Sequence, residues 1–277
     1  MQQRAFSFKT QDELTLQAVE WKPDSQPKAC VLLVHGIGEH TGRYQHVAEY
    51  FTQAGYAITG FDLRGHGKSE GIRGHAPSFD HLMEDITQGI AIVRSNFPGL
   101  PVFLYGHSLG ASLVIYYSIT RDSNPAGVIA TSPALGVTVP IPPAKMLLGK
   151  IMYAVFPTFQ MKNGLDPNDL SRDTSVGKRY MSDSLVHSFT TARLGLDLLN
   201  SGSFNIEHAS KIHWPMLLMQ GSADKLVSPE LTRNFAERAP SQFVTFKEWD
   251  GYYHELHNEP QKDTVLQTMI DWLDAHN

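Results

Sequence analysis

Apolar and polar positions alternate with period two at the start of the chain. Phe6 and Phe8 come first, then Leu14, Leu16 and Ala18, with Gln11-Asp12 between the two groups. That period belongs to strands, and the pair predicts a hairpin. From Cys30 the pattern changes. The run from Cys30 to His35 is apolar without interruption, and Tyr56 to Phe61 is a second such run, as expected of strands covered on both faces. Between them, Tyr44 to Ala54 predicts a helix that stops at Gly55.

Further along, Phe79, Leu82, Met83, Ile86, Ile90 and Val93 recur at helical spacing, so 79–96 reads as an amphipathic helix. Pro101 to Tyr105 predicts a strand, Ser108 to Thr120 a helix and Gly127 to Thr131 a strand. Pro215 to Gln220 and Phe243 to Trp249 predict strands, each followed by a helix, at Pro229 to Arg238 and Asp263 to Ala275. Strands alternating with helices imply a mostly parallel sheet with helices on both faces. Residues 134–208 break the alternation. They open with Pro140, Pro142 and Pro143 and predict helical pieces at Ala144–Phe156 and Ser184–Asn200. The expected organisation is therefore a core of 1–133 and 209–277 with an inserted helical lid at 134–208.

Composition narrows the function classes. The 277 residues suffice for one large domain with a substantial core. The net charge of -5 and the lack of any Lys/Arg run exclude the concentrated basic surface that nucleic acid requires. Cys30, the single cysteine, lies inside an apolar run and reads as a small buried hydrophobe rather than a nucleophile. No signal-peptide core is seen at the N-terminus and no run is long enough to span a membrane, so the expected compartment is the cytoplasm.

The chemistry concentrates at three strand ends. Gly106-His107-Ser108-Leu109-Gly110 matches G-x-S-x-G between a predicted strand and a predicted helix, the context in which a nucleophilic serine sits on a sharp turn. A serine hydroxyl needs a base. Asp224 in Gly221-Ser222-Ala223-Asp224-Lys225 and His254 in Gly251-Tyr252-Tyr253-His254 each follow a predicted strand, so all three project from the carboxyl edge of the sheet. The N–H of Leu109 and the N–H of Ile37, in the loop His35-Gly36-Ile37-Gly38-Glu39-His40, are the expected oxyanion donors. Glu39 and Arg43 are four apart and by spacing alone read as a surface ion pair. Asp62, at the same edge, reads as structural. No tetrahedral metal set is spaced for binding: His254 and His257 are three apart, one short of a zinc motif. No cofactor is expected.

These residues resemble a known family. His35-Gly36-Ile37-Gly38-Glu39-His40-Thr41-Gly42-Arg43-Tyr44 is similar to a signature of monoacylglycerol lipases and related lysophospholipases. So are Arg64-Gly65-His66-Gly67-Lys68-Ser69-Glu70-Gly71, Gly221–Lys225 and Tyr253-His254-Glu255-Leu256-His257. The resemblance extends to Leu170-Ser171-Arg172 and Tyr180-Met181-Ser182-Asp183. It implies an α/β-hydrolase fold: a mostly parallel eight-stranded sheet flanked by helices, with an inserted helical lid. It implies a small lipid ester as partner, hydrolysed through Ser108, His254 and Asp224 without a cofactor. It places Glu39, Arg43, Tyr180 and His257 at the glycerol end of the pocket. Leu109-Gly110-Ala111 departs from the Met-Gly-Gly of the mammalian members. Lysophospholipase, general carboxylesterase, acyltransferase and a non-catalytic receptor on the same fold are the rival readings. The segment Met146 to Phe156 is apolar nearly all round, which suits core burial, an acyl channel or a membrane surface.

Overall fold

The computed structural model describes residues 1–277. In chain order the elements are β1 (Gln2–Lys9), β2 (Thr15–Lys22), β3 (Ala29–Val34), α1 (Gln45–Gln53), β4 (Tyr56–Phe61), α2 (Phe79–Asn96), β5 (Val102–His107), α3 (Leu109–Thr120) and β6 (Gly127–Thr131). There follow α4 (Pro143–Val155), β7 (Gln160–Lys162), α5 (Thr174–Ser182), β8 (Phe189–Thr191), α6 (Ala192–Glu207), β9 (Met216–Gly221), α7 (Pro229–Arg238), β10 (Val244–Trp249) and α8 (Lys262–His276).

The main sheet has eight strands in the order β1-β2-β4-β3-β5-β6-β9-β10. β1 pairs with β2, and β2 with β4, antiparallel; the other neighbours are parallel. The hairpin expected from Phe6, Phe8 and Leu16 is present, with Phe8 opposite Leu16. The unbroken apolar runs do become strands buried along their whole length, and each splits its side chains between two cores. In β3, Cys30, Leu32 and Val34 face the core beneath α2, α3 and α7, whereas Ala29, Val31 and Leu33 face the core beneath α1 and α8. A Leu32→Ala change would open a cavity in the first of these, at a cost of about 2–5 kcal/mol.

Sequence order reverses between β3 and β5. The chain moves from β3 outward to β4, then crosses back so that β5 lies on the other side of β3. The loops leaving the carboxyl ends of β3 and β5 therefore diverge around one crevice, where ligands bind in sheets of this kind. His35 follows β3 and Ser108 follows β5.

Two boundaries differ from the sequence reading. Residues Thr41–Tyr44 form a tight 3-10 turn, capped by the His40 side chain, before α1 starts at Gln45. The second helix of the insertion begins at Ala192, not Ser184. Asp183 accepts the Leu185 N–H in a local turn, and Phe189–Thr191 is drawn into a two-stranded sheet with β7, so those residues cannot start a helix. Helix α5 was not anticipated; Asp173 caps it, and Val176 and Tyr180 are buried four residues apart on its inner face. On α4 only Gly149 is buried. Leu147, Ile151 and Val155, one stripe at four-residue spacing, are exposed, so the apolar segment is not a core helix. No helix is long and apolar enough to cross a membrane.

Candidate active site

Ser108 connects β5 directly to α3 with φ 55° and ψ -115°, a left-handed conformation that non-glycine residues rarely adopt. The strain is enforced by packing. A Cβ on Gly106 would lie 2.4 Å from Gly110 O, and one on Gly110 would lie 1.9 Å from Val34 O. Only glycine on either side lets the turn press this closely against β3. The Ser108 N–H donates to Thr131 O at 3.0 Å, which ties the turn to the end of β6.

The loop after β3 is fixed just as firmly. His35 Nδ1 donates to Gly36 O at 2.7 Å, and His35 Nε2 accepts the Leu63 N–H at 2.9 Å. Those two bonds assign the neutral Nδ1–H tautomer. Burial, the largest influence on His35, lowers its pKa and keeps the ring in that form. On the other side, the Gly36 N–H donates to Glu39 Oε1 at 2.6 Å. Because Gly36 C=O and Ile37 N–H belong to one planar trans peptide, holding the carbonyl aims the N–H the opposite way. Ile37 N–H has no partner among the loop hydrogen bonds. Leu109 N–H opens α3, where a helix leaves its N–H groups free. A Cβ on Gly36 would approach Ser108 Cβ to 3.2 Å, so this loop lies directly against the serine.

Asp224 and His254 come from the ends of β9 and β10. His254 Nδ1 donates to Asp224 Oδ2 at 2.8 Å. The same oxygen accepts Gln220 Nε2 at 3.0 Å, while Oδ1 accepts the N–H groups of Leu226 at 2.8 Å and Val227 at 3.0 Å. Burial would raise the Asp224 pKa, but the charge and hydrogen bond of His254 and the backbone donors outweigh it, and the carboxyl titrates below its usual range. For His254 burial acts against the charged ring. The charge and hydrogen bond of Asp224, with Glu255 and Glu39 behind, overcome it and raise the pKa above the ordinary histidine value. Ser132, itself at φ 46°, donates its Oγ to the His254 carbonyl at 2.7 Å and so pins the histidine loop to β6. Ser108 Oγ makes no hydrogen bond to the His254 ring in this structure; both side chains open onto one cavity. Nucleophile–base contacts commonly close only when substrate is seated.

That cavity has a volume of about 450 Å³. Ile37, Ser108 and His254 line it together with apolar side chains such as Met146, Met161, Leu198, Leu199 and Val227. Only Ile37, Ser108, Lys225, Leu226, Val227 and His254 come from outside residues 134–208.

The structure gathers Glu39, Arg43, Tyr180 and His257 together, but not along this cavity. Glu39 and Arg43 are not the surface ion pair their spacing suggested. Glu39 is buried, its side chain 3% exposed, Arg43 is largely covered at 10%, and Arg43 Nη1 meets Glu39 Oε2 at 2.5 Å. Arg43 also grips Glu255 with two bonds, at 2.6 and 2.7 Å, and lies 4.9 Å above the Tyr180 ring. Burial works to raise the Glu39 pKa, yet the adjacent Arg43 charge holds it below the usual carboxylate range. His257 stacks on Tyr44 at 4.8 Å and meets His107 edge-on at 4.8 Å. Burial first, then the charge of His254, lowers His107 to about 4. Asp62 is structural as read, accepting Thr41 N–H and Oγ1 and Lys68 N–H. Cys30 is buried, and burial pushes its thiol up to about 12.

Sequence reasoning missed Glu255, Gln220, Ser132 and the orienting role of His35. Glu255 carried a signal in its position next to His254, but its partner Arg43 lies 212 residues away.

Comparison with known proteins identifies the family of the chain. The family model described as serine aminopeptidase, S33, matches residues 25–261. The chain is 35% identical over 258 residues to the monoglyceride lipase of Rattus norvegicus, covering 91% of this chain and 84% of that protein. It is also 35% identical over 266 residues to an uncharacterized abhydrolase domain-containing protein of Dictyostelium discoideum, covering 95% of this chain but 28% of that longer protein. Among solved structures, that of Paleococcus ferrophilus monoacylglycerol lipase superposes with a TM-score of 0.85 over 100% of both chains, at 34% identity.

Proposed function

The chain belongs to the hydrolase family described as serine aminopeptidase, S33, together with the monoglyceride lipases, and from that premise we propose that it hydrolyses monoacylglycerols to fatty acid and glycerol. Its fold is that of the α/β-hydrolases, and it is a carboxylic-ester hydrolase. The family description speaks of a peptidase, but the apolar walls above Ser108 suit a hydrocarbon chain. The observation that carries the reading is that Ser108 and the Asp224-paired His254 open together onto that one apolar cavity.

In the proposed reaction, Ser108 Oγ attacks the ester carbonyl while His254 Nε2 takes its proton. The carbonyl oxygen becomes an oxyanion between the N–H groups of Ile37 and Leu109. Asp224, already ionised, stabilises the imidazolium. His254 returns the proton to the glycerol oxygen as the C–O bond breaks, leaving an acyl-serine. Water, deprotonated by His254, attacks the acyl-serine. The carboxylic product leaves and Ser108 regains its proton.

Residues 134–208 are proposed to be the lid. Between 134 and 165 there is no acidic residue, while Lys145, Lys150 and Lys162 are present in a chain of net charge -5. With the exposed Leu147, Ile151 and Val155 stripe, this face suits the surface of a lipid aggregate. A fluorophosphonate should label wild-type protein at Ser108, and fatty-acid release from monoacylglycerol should vanish in Ser108→Ala. Full turnover by Ser108→Ala refutes the reading, and faster turnover of a lysophospholipid than of monoacylglycerol moves the substrate to the related class.

A further inference from the structure

One guanidinium reaches both halves of the site. Arg43 Nη1 bonds Glu39 Oε2 at 2.5 Å and Glu255 Oε1 at 2.6 Å, and Nη2 bonds Glu255 Oε2 at 2.7 Å. Glu39 in turn accepts the Gly36 N–H at 2.6 Å and the Tyr44 hydroxyl at 2.7 Å, so it holds the loop that carries Ile37 N–H. Glu255 follows His254 directly. Its N–H donates to Leu170 O at 2.7 Å, and its carboxylate also accepts Asn258 Nδ2 at 2.7 Å, so it is fixed on both sides. The chain from Gly36 through Glu39, Arg43 and Glu255 to His254 is thus unbroken and largely covered from solvent.

Such a trio is a costly way to fill space, because apolar side chains of similar volume are often as stable or more so. What it supplies is a fixed separation: a rigid, planar fork sets the distance between two carboxylates as a hydrocarbon contact cannot. Arg43 is also poorly placed to meet substrate. Three of its donors are taken, its face lies on Tyr180, and it does not line the cavity.

We propose that Arg43, through Glu39 and Glu255, is a positioning residue that sets the oxyanion loop against the histidine loop. It touches neither the acyl group nor the leaving alcohol. This inference rests on the reading of Ser108 and His254 as nucleophile and base.

The test compares two esters of one acyl chain, a monoacylglycerol and a p-nitrophenyl ester, which lacks glycerol. Lysine at position 43 keeps the charge but loses the fork. In Arg43→Lys, kcat should fall about a hundredfold for both esters while KM moves by less than about twofold. Fluorophosphonate labelling of Ser108 should slow by the same factor, since it uses the same donors and base. Glu255→Gln keeps shape and one acceptor, so it should lose about tenfold in all three measurements. If Arg43→Lys fails to fold, judged by its thermal melt, Glu255→Gln decides. Wild-type labelling and aryl-ester rates alongside slowed monoacylglycerol turnover would assign Arg43 to glycerol and overturn the proposal, as would unchanged rates throughout. Absence of labelling in the wild-type protein would instead strike the underlying catalytic reading.

Discussion

Asp224 accepts the Nδ1–H of His254 at 2.8 Å, and three further donors, from Gln220, Leu226 and Val227, complete its shell. A carboxylate so fully occupied has no reason to move or take up a proton. It serves as a fixed negative charge that selects the tautomer and orientation of the ring.

Replacement by the isosteric amide should expose that role. Asp224→Asn can no longer accept both donors that meet Oδ2, and it favours the wrong tautomer of His254. We expect kcat to fall by about 10⁴-fold with the fold retained. A loss smaller than tenfold would mean that Asp224 does not orient the base.

The pH dependence follows from the raised pKa of His254. The ring must be neutral to act as base, so activity falls as pH drops through its pKa. Since Asp224, Glu255 and Glu39 overcome burial and lift that pKa, the acid limb of kcat/KM should lie above the ordinary histidine value of 6.5. In Asp224→Asn the main lifting charge is gone, and the limb of the residual activity should move to lower pH. Profiles of both proteins check this; a wild-type limb below 6.5 contradicts it.

Stability should respond to acid in the opposite sense to His254. His35, His66, His107 and His257 are buried with lowered pKa values, chiefly through burial. Below about 6.5 the unfolded chain binds protons that these folded rings refuse, so folding weakens as pH falls, by up to about 1.4 kcal/mol per pH unit for each ring. His254, raised, contributes stability that is present below 6.5 and lost above its own pKa, and one ring cannot offset four. The melting temperature of Ser108→Ala should drop between pH 7 and pH 5; a flat or rising curve would show the four rings to be charged in the fold.

Gly110→Ala tests the packing of the nucleophile turn. Its Cβ would sit 1.9 Å from a main-chain oxygen of β3, which cannot swing aside. The change should cost about 3 kcal/mol in chemical denaturation and slow fluorophosphonate labelling. Wild-type stability would show that β3 and α3 can separate freely.

The apolar stripe of α4 makes a separate prediction. In the double variant Leu147→Glu, Ile151→Glu, co-sedimentation with anionic vesicles should fall at least tenfold. Hydrolysis of a short, water-soluble ester should stay within about twofold, because neither residue lines the cavity. Vesicle binding equal to wild type removes this face from the lipid contact.

Much of this could be read from sequence wherever one segment carries its own signal. The apolar runs of β3, β4 and β6 and the period of α2 have a local cause, burial on two faces or on one. Ser108, Asp224 and His254 were legible because each follows a recognisable strand. Strands β7 and β8 were not, since three residues each leave no period and depend on their mutual pairing. Arg43 and Glu255 were not, because nothing within either segment announces a partner 212 residues away, and a four-residue spacing to Glu39 suggested a simpler pair.

The insertion leaves the sheet after β6 and returns before β9, and those two strands are parallel neighbours. Departure from the carboxyl end of β6 and re-entry at the amino end of β9 therefore lie at opposite edges of the sheet, and most of the cavity wall comes from the crossover between them. Most of the cavity lining thus lies on a different stretch of polypeptide from Ser108, Asp224 and His254. The insertion also braces the other stretch, since Leu170 O accepts the Glu255 N–H beside His254 and the Tyr180 ring lies under Arg43, so remodelling the cavity wall also loads the loops that carry the reactive groups.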